Sequence, residues 1–157
     1  MSYSHAPEDY TCPFCLIVAG SGEVLTKPAD VVLRNQWVTA FISLHWWPNN
    51  PGHVIVIPNQ HYENIYTLPA QVATHIHEAA RQIALAFKAT YGCDGVSTRQ
   101  HNEPAGHQEV WHYHLHVFPR YENDYLYDLT AHRQITTPEE RLPYAQKLRA
   151  YLAQTTG

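Results

Sequence analysis

The sequence predicts an α+β domain, an antiparallel sheet with helices attached. Short runs rich in β-branched and aromatic residues, at 31–34, 37–42 and 53–58, are bounded by turn signals. Residues 69–90 instead repeat Val72, Ile76, Ala79, Ile83 and Phe87 at helical spacing. His112-Tyr113-His114-Leu115-His116-Val117-Phe118 alternates imidazoles with bulky apolar residues, which is the period of a strand.

In chain order, residues 1–10 read as a loose arm. Cys12-Pro13-Phe14-Cys15 leads into an apolar run, a helical turn stopped by Gly20-Ser21-Gly22. The strands 31–34 and 37–42 flank Asn35-Gln36, a hairpin-like turn. Residues 45–53, rich in Pro and Asn, read as an irregular loop, and the near-continuous apolar run 53–58 suits the centre of a sheet. Pro69 opens the long helix, His75 and His77 sit on its exposed side, and Tyr91-Gly92 ends it. Cys93 is a small turn residue. A strand at 95–100, a polar loop at 101–109, the histidine strand and a turn at 121–124 follow. A C-terminal helix from Pro138 to about Gln154 carries Leu142, Leu148 and Leu152 on one side.

A chain of 157 residues is one domain by default, with no linker or repeat to divide it. The net charge of −4 gives no electrostatic case for a nucleic-acid or membrane partner. No segment approaches the roughly 18 apolar residues that span a bilayer. The polar start lacks the pattern of a signal peptide, and three cysteines are an odd count, so the expected location is cytoplasmic. Histidine is the outlier, with 12 residues.

Three histidines in one row are hard to read as packing. Imidazole titrates near pH ~6.5, so it serves as nucleophile, proton donor or metal ligand at neutral pH. Cys12-x-x-Cys15 reads as a redox or a metal motif. No thioredoxin-like unit follows it, so metal binding is favoured, with two further ligands to come from the histidines.

The row followed by Pro119-Arg120 resembles the signature of the histidine-triad (HIT) family. Pro51-Gly52-His53-Val54-Ile55-Val56-Ile57-Pro58-Asn59-Gln60-His61 is similar to a second family motif, and residues 102–110 resemble the loop before the triad. Cys12-x-x-Cys15 stands where zinc-bearing members carry it. The likeness covers residues 12–121, a HIT core, with 122–157 as a C-terminal extension of the same domain.

The resemblance implies a HIT-like fold and a hydrolase or transferase acting on the α-phosphate of dinucleoside polyphosphates or nucleoside phosphoramidates. His114 would be the nucleophile, forming a nucleotidyl-histidine that water cleaves. His116 and His53 would donate to the phosphate oxygens. Asn102 and Gln108 match phosphate-contacting loop residues, and a shift of one position moves the first role to His101. The zinc-bearing branch implies one structural zinc on Cys12, Cys15, His61 and His112, with no catalytic metal. It also implies a nucleotide, a purine nucleotide by expectation, as substrate and a homodimer as the assembly.

This chain departs from the family pattern at His45, where a ribose-contacting acid or amide is expected. Trp46 and Trp47 beside it either stack on a base or cover the core. His107 reads as a spectator. Two other classes remain: a nucleotide-binding module with negligible turnover, and a triad that itself holds a catalytic metal.

Overall fold

The five-stranded sheet of the computed structural model runs in the order β1-β2-β4-β6-β5, all neighbours antiparallel. Its strands are β1 (Val31–Arg34), β2 (Val38–Ile42), β4 (Val54–Pro58), β5 (Gly95–Gln100) and β6 (Leu115–Arg120). The helices are α1 (Pro13–Ala19), α2 (Ala70–Thr90) and α3 (Pro138–Thr155). Residues 3–21 and 23–155 are described. Gly22, residues 1–2 of the arm and residues 156–157 lie outside them.

Strand alternation gives the sheet two unlike faces. On one, Ala40, Ile42, Val54, Val56, Leu115 and Val117 pack against α2 and α3. The helix α2 buries the expected stripe, Val72, Ile76, Ala79, Ile83 and Phe87. The helix α3 starts at a capping box: Thr137 Oγ1 accepts from Glu140 N at 3.3 Å, and Glu140 Oε2 accepts from Thr137 N at 2.7 Å. It buries Ala145, Leu148 and Leu152, whereas Leu142 is exposed. The inner position of that first turn belongs to Arg141, whose fork pairs with buried Asp30 at 2.9 Å twice. Leu142 stands about 100° round the helix from it. On the other face, α1 covers only the β1–β2–β4 side through Phe14, Ile17, Phe41, Ile55 and Ile57. The β6–β5 side is left for a site.

Three expectations need correction. The arm is tied down: Ser4 Oγ and His5 N donate to Glu63 at 2.5 Å each, and Trp111 N donates to Tyr10 Oη at 3.1 Å. The histidine strand begins only at Leu115. Opposite Tyr113 the ladder would meet Pro58, which has no N–H, and Tyr113 N donates to Tyr62 O at 2.6 Å instead. The 45–53 loop opens with a short strand, β3 (His45–Trp46), paired with β7 (Gln134–Ile135). Two-residue strands from segments 90 residues apart leave no periodic trace in sequence.

Gly52 shapes the entry to β4. It has φ +75°, and a Cβ there would stand 2.4 Å from the Tyr144 ring. Only glycine fits the turn that delivers His53.

Candidate functional site

Register builds the site. Phe41 faces Ile55, Ile55 faces His116, and His116 faces Arg99, so these four form one row across β2, β4, β6 and β5. Above this row opens a cleft of about 1280 Å³. Phe14, Ile17, Phe41 and Ile55 line one end, Arg99, Trp47, Tyr127 and Arg133 the other, and His114 and His116 lie in its lining too.

Two backbone carbonyls set the tautomers in the histidine row. A carbonyl only accepts, so His114 Nδ1, 2.7 Å from His112 O, carries the proton, and Nε2 keeps its lone pair. His112 Nε2 donates likewise to Pro58 O at 3.0 Å, which leaves Nδ1 as the free ligand atom. That atom lies 3.3 Å from Cys12 Sγ and 3.6 Å from Cys15 Sγ. His61 Nδ1 lies 3.3 Å from Cys15 Sγ, and the four ligand atoms fall within 4.8 Å of one another. Ligand–ligand edges of a tetrahedral Cys2His2 site are about 3.3–3.8 Å for ordinary zinc bond lengths. The donor set and spacing therefore fit a closed tetrahedral cation. Burial, with Cys12 adjacent, pushes the Cys15 thiol up to about 11. A bound divalent cation would reverse that, because coordinated thiols ionise.

Cys12 and Cys15 also belong to the helix start. Cys12 is the N-cap of α1, its sulfur accepting from Cys15 N at 3.4 Å. The Phe14 ring between them lies edge-on to His112 and to His114, with centroids 5.8 and 5.2 Å away. One aromatic thus links the cysteine–histidine cluster to His114.

The remaining residues divide. His53 is fully buried and does not line the cleft. It stacks on Phe118 at 4.3 Å, and its Nε2 lies 3.4 Å from His116 Nδ1. His53 thus stands behind His116 and does not face the cleft as expected. Asn102 and Gln108 also turn away from the cleft. Asn102 Oδ1 accepts from Ile65 N at 2.8 Å, and Gln108 bridges Glu103 N, Glu63 O and Val110 O. These bonds hold a loop that places Glu103 and His107 at positive φ. His101 lines the cleft, its ring bonded to Gly106 O, and so does His107, the expected spectator.

His45 lines the cleft as well, and burial followed by the Arg133 charge lowers its pKa. Trp46 covers the core, its ring edge-on to Tyr144 at 5.0 Å, whereas Trp47 faces the cleft. Sequence reasoning missed the residues that the C-terminal extension brings: Tyr127, Asp128, Thr130 and Arg133. Asp124 anchors that segment, accepting from Arg120 at 2.7 and 2.8 Å and from Asn50 at 2.8 Å.

Burial holds the central imidazoles neutral. It lowers the pKa of His114 and takes His116 well below the usual range. Burial, then Arg99 and His45, pushes His53 down to about 3. The unfolded chain, with its ordinary value near ~6.5, binds this proton first. Stability is thus fully present above pH ~6.5 and is lost as pH falls toward 3. His53 alone should cost about 2 kcal/mol between pH 7 and pH 5. Urea midpoints across that range check this, with His53→Phe expected to flatten the slope. Superimposable curves would refute it.

A family model, the HIT domain, matches residues 24–123. The chain belongs to the HIT family. An uncharacterized HIT-like protein of Methanocaldococcus jannaschii is 34% identical over 113 residues, 72% of this chain and 81% of its own. An adenosine 5′-monophosphoramidase of Saccharomyces cerevisiae is 29% identical over 112 residues, 71% of this chain and 64% of its own. A zinc-bound histidine-triad protein of Mycobacterium smegmatis superposes with a TM-score of 0.75 at 26% identity, covering 93% of this chain and 96% of its own. The HIT fold is thus shared along nearly the whole chain. Among the described residues, no helix is long and apolar enough to cross a membrane.

Proposed function

We propose that this HIT protein is a nucleotidyl hydrolase or transferase that works through a nucleotidyl-histidine on His114. The carrying observation is the His114 tautomer: the His112 carbonyl takes Nδ1–H and leaves the Nε2 lone pair free. Neutral imidazole is the nucleophilic form, and the lowered pKa of His114 keeps it so at pH 7. The yeast monophosphoramidase and the HIT family model support the same reading.

In this reading the nucleoside lies on Phe14, Ile17, Phe41 and Ile55, and the α-phosphate sits between His114 and His116. With the shared proton on His53 Nε2, 3.4 Å from His116 Nδ1, His116 carries its own proton on Nε2 and offers it to a phosphate oxygen as charge builds. His53 is a positioning residue. His45 and His101 complete the cleft wall toward substrate. Cys12, Cys15, His61 and His112 hold a structural zinc, which supplies rigidity beside the nucleophile and takes no part in the reaction. The zinc-bound mycobacterial relative supports this assignment. A homodimer in the cytoplasm belongs to the same reading.

Intact-protein mass after rapid mixing with adenosine 5′-phosphoramidate or a dinucleoside polyphosphate tests it. The expected result is a transient adduct of one nucleoside monophosphate, with release of free monophosphate. Absence of both adduct and hydrolysis at high protein concentration would leave a nucleotide-binding module instead.

A further inference from the structure

The two ends of the cleft differ in kind. One is apolar. At the other, the Arg99 guanidinium stands 5.1 Å from the centroids of both Trp47 and Phe118, and Arg133 stands 5.8 Å from Trp47. Contact with aromatic rings satisfies none of the guanidinium's N–H donors. Arg99 has no hydrogen bond or ion pair with the described residues, and its Nε is buried without an acceptor. A buried charged donor left unmet is costly, and such groups ordinarily have partners. Every other arginine lining this cleft has one: Arg133 Nη2 donates to Glu109 Oε1 at 2.6 Å.

Position says what Arg99 awaits. It lies directly across from His116 in the β5–β6 register, on the same face. Opposed side chains in such pairs have Cβ atoms about 4.5–5.5 Å apart. Arg99 therefore borders the place of a phosphate held at His116, on the side away from the apolar end. We infer that Arg99, standing against Trp47 and Phe118, is the subsite for the phosphate of the leaving group, and that the preferred substrates are phosphoanhydrides. This rests on the reading of His114 as nucleophile.

The chemistry balances. His114 Nε2 bonds to the α-phosphorus as the bond from phosphorus to the bridging oxygen breaks. The electron pair stays on that oxygen, so the departing polyphosphate gains one negative charge and needs a cation, not a proton. Water then adds to phosphorus as the phosphorus–nitrogen bond breaks, its electron pair returning to Nε2, and one proton of the water passes to solvent, giving the nucleoside monophosphate and neutral His114. An amine leaving group would need a proton instead. Glu109, lining the same cleft, is held by the Arg133 pair below the usual carboxylate range, and the Nε2–H of His116 is engaged with the α-phosphate in this reading.

Two measurements on the full chain decide this. Titration calorimetry with inorganic tripolyphosphate should show binding to the wild type and at least about tenfold weaker binding to Arg99→Met. Arg99→Lys, which keeps the charge without the planar fork, should fall between them, and it serves if the methionine variant does not fold. No binding to the wild type, or equal binding by all three, overturns the subsite whatever the turnover. The second measurement is the ratio of kcat/KM for a dinucleoside polyphosphate to that for a phosphoramidate. It should drop at least tenfold in Arg99→Met, and an unchanged ratio overturns the leaving-group assignment. If the wild type hydrolyses neither substrate, the nucleotidyl-transfer reading fails, while calorimetry still judges the anion subsite.

Discussion

Replacing His114 by alanine is expected to lower kcat about 10⁴-fold or more, equivalent to roughly 5 kcal/mol of activation free energy. The reason is local. His114 Nδ1 is engaged with the His112 carbonyl, so Nε2 is the atom left for chemistry. The residue is buried, with 5% of its surface exposed, so any reacting group must come to it in the cleft rather than in bulk solvent. The neighbouring imidazoles do not take its place. His116 lies 5.2 Å away between ring centroids, and its Nδ1 is tied to His53. The covalent adduct should vanish with the rate. Its loss separates His114 from His116, whose replacement should slow turnover while leaving a detectable adduct, since it acts on charge rather than on bond formation. Zinc content should be unchanged in His114→Ala, because no atom of that ring is within the Cys12, Cys15, His61, His112 cluster. Single-turnover kinetics with mass detection gives both readouts. A rate within tenfold of wild type, or an adduct on the variant, would refute the assignment.

The parts of this fold that repeat at short period were legible in sequence. The stripe on α2 and the strands β1 and β5 to the residue followed from spacing, and Cys12 and Cys15 from their motif, whereas His61 and His112 were implied only by the family resemblance. Differences arise where a long-range contact overrides the local pattern. Alternation runs unbroken through His112-Tyr113-His114, yet Pro58 on the neighbouring strand ends the ladder. Gln108 and Asn102 have the residue types of ligand contacts, but the backbone groups of residues 63–65 claim them first. The C-terminal extension was illegible as a wall of the site. Its anchor is Asp124, which gathers Arg120, Asn50, and the N–H groups of Tyr121 and Leu126. A lone Asp in a turn announces none of this. Arg99 carried a faint signal: a lone charge in a short strand beside a histidine strand has either an exposed face or an unfilled task, and register is needed to tell which.

Loss of the proposed zinc site should show more in stability than in chemistry. Cys12→Ser, Cys15→Ser and His112→Ala are each expected to lose bound zinc and to lower stability by about 4 kcal/mol, roughly 8–16 °C in melting temperature for a domain of this size. The estimate lies below the binding free energy of isolated zinc peptides because this chain has its own core on the other face of the sheet. His61→Ala should cost less, since His61 is exposed and water can replace its nitrogen. His112→Ala should cost at least as much as the cysteine changes. It also removes the bond to Pro58 O that holds the chain where the β4–β6 ladder stops. Turnover should fall modestly in all four, through the Phe14 ring that touches both His112 and His114, and far less than in His114→Ala. Metal analysis of the purified chain, paired with thermal denaturation before and after chelation, measures both effects. A wild-type protein with less than half an equivalent of zinc that melts at the temperature of Cys12→Ser would show that the four side chains are a thiol–imidazole cluster without a resident ion. In that case α1 would be held to the histidine segment by the thiol–imidazole contacts of Cys12 and Cys15 with His112 and by the packing of Phe14 and Ile17.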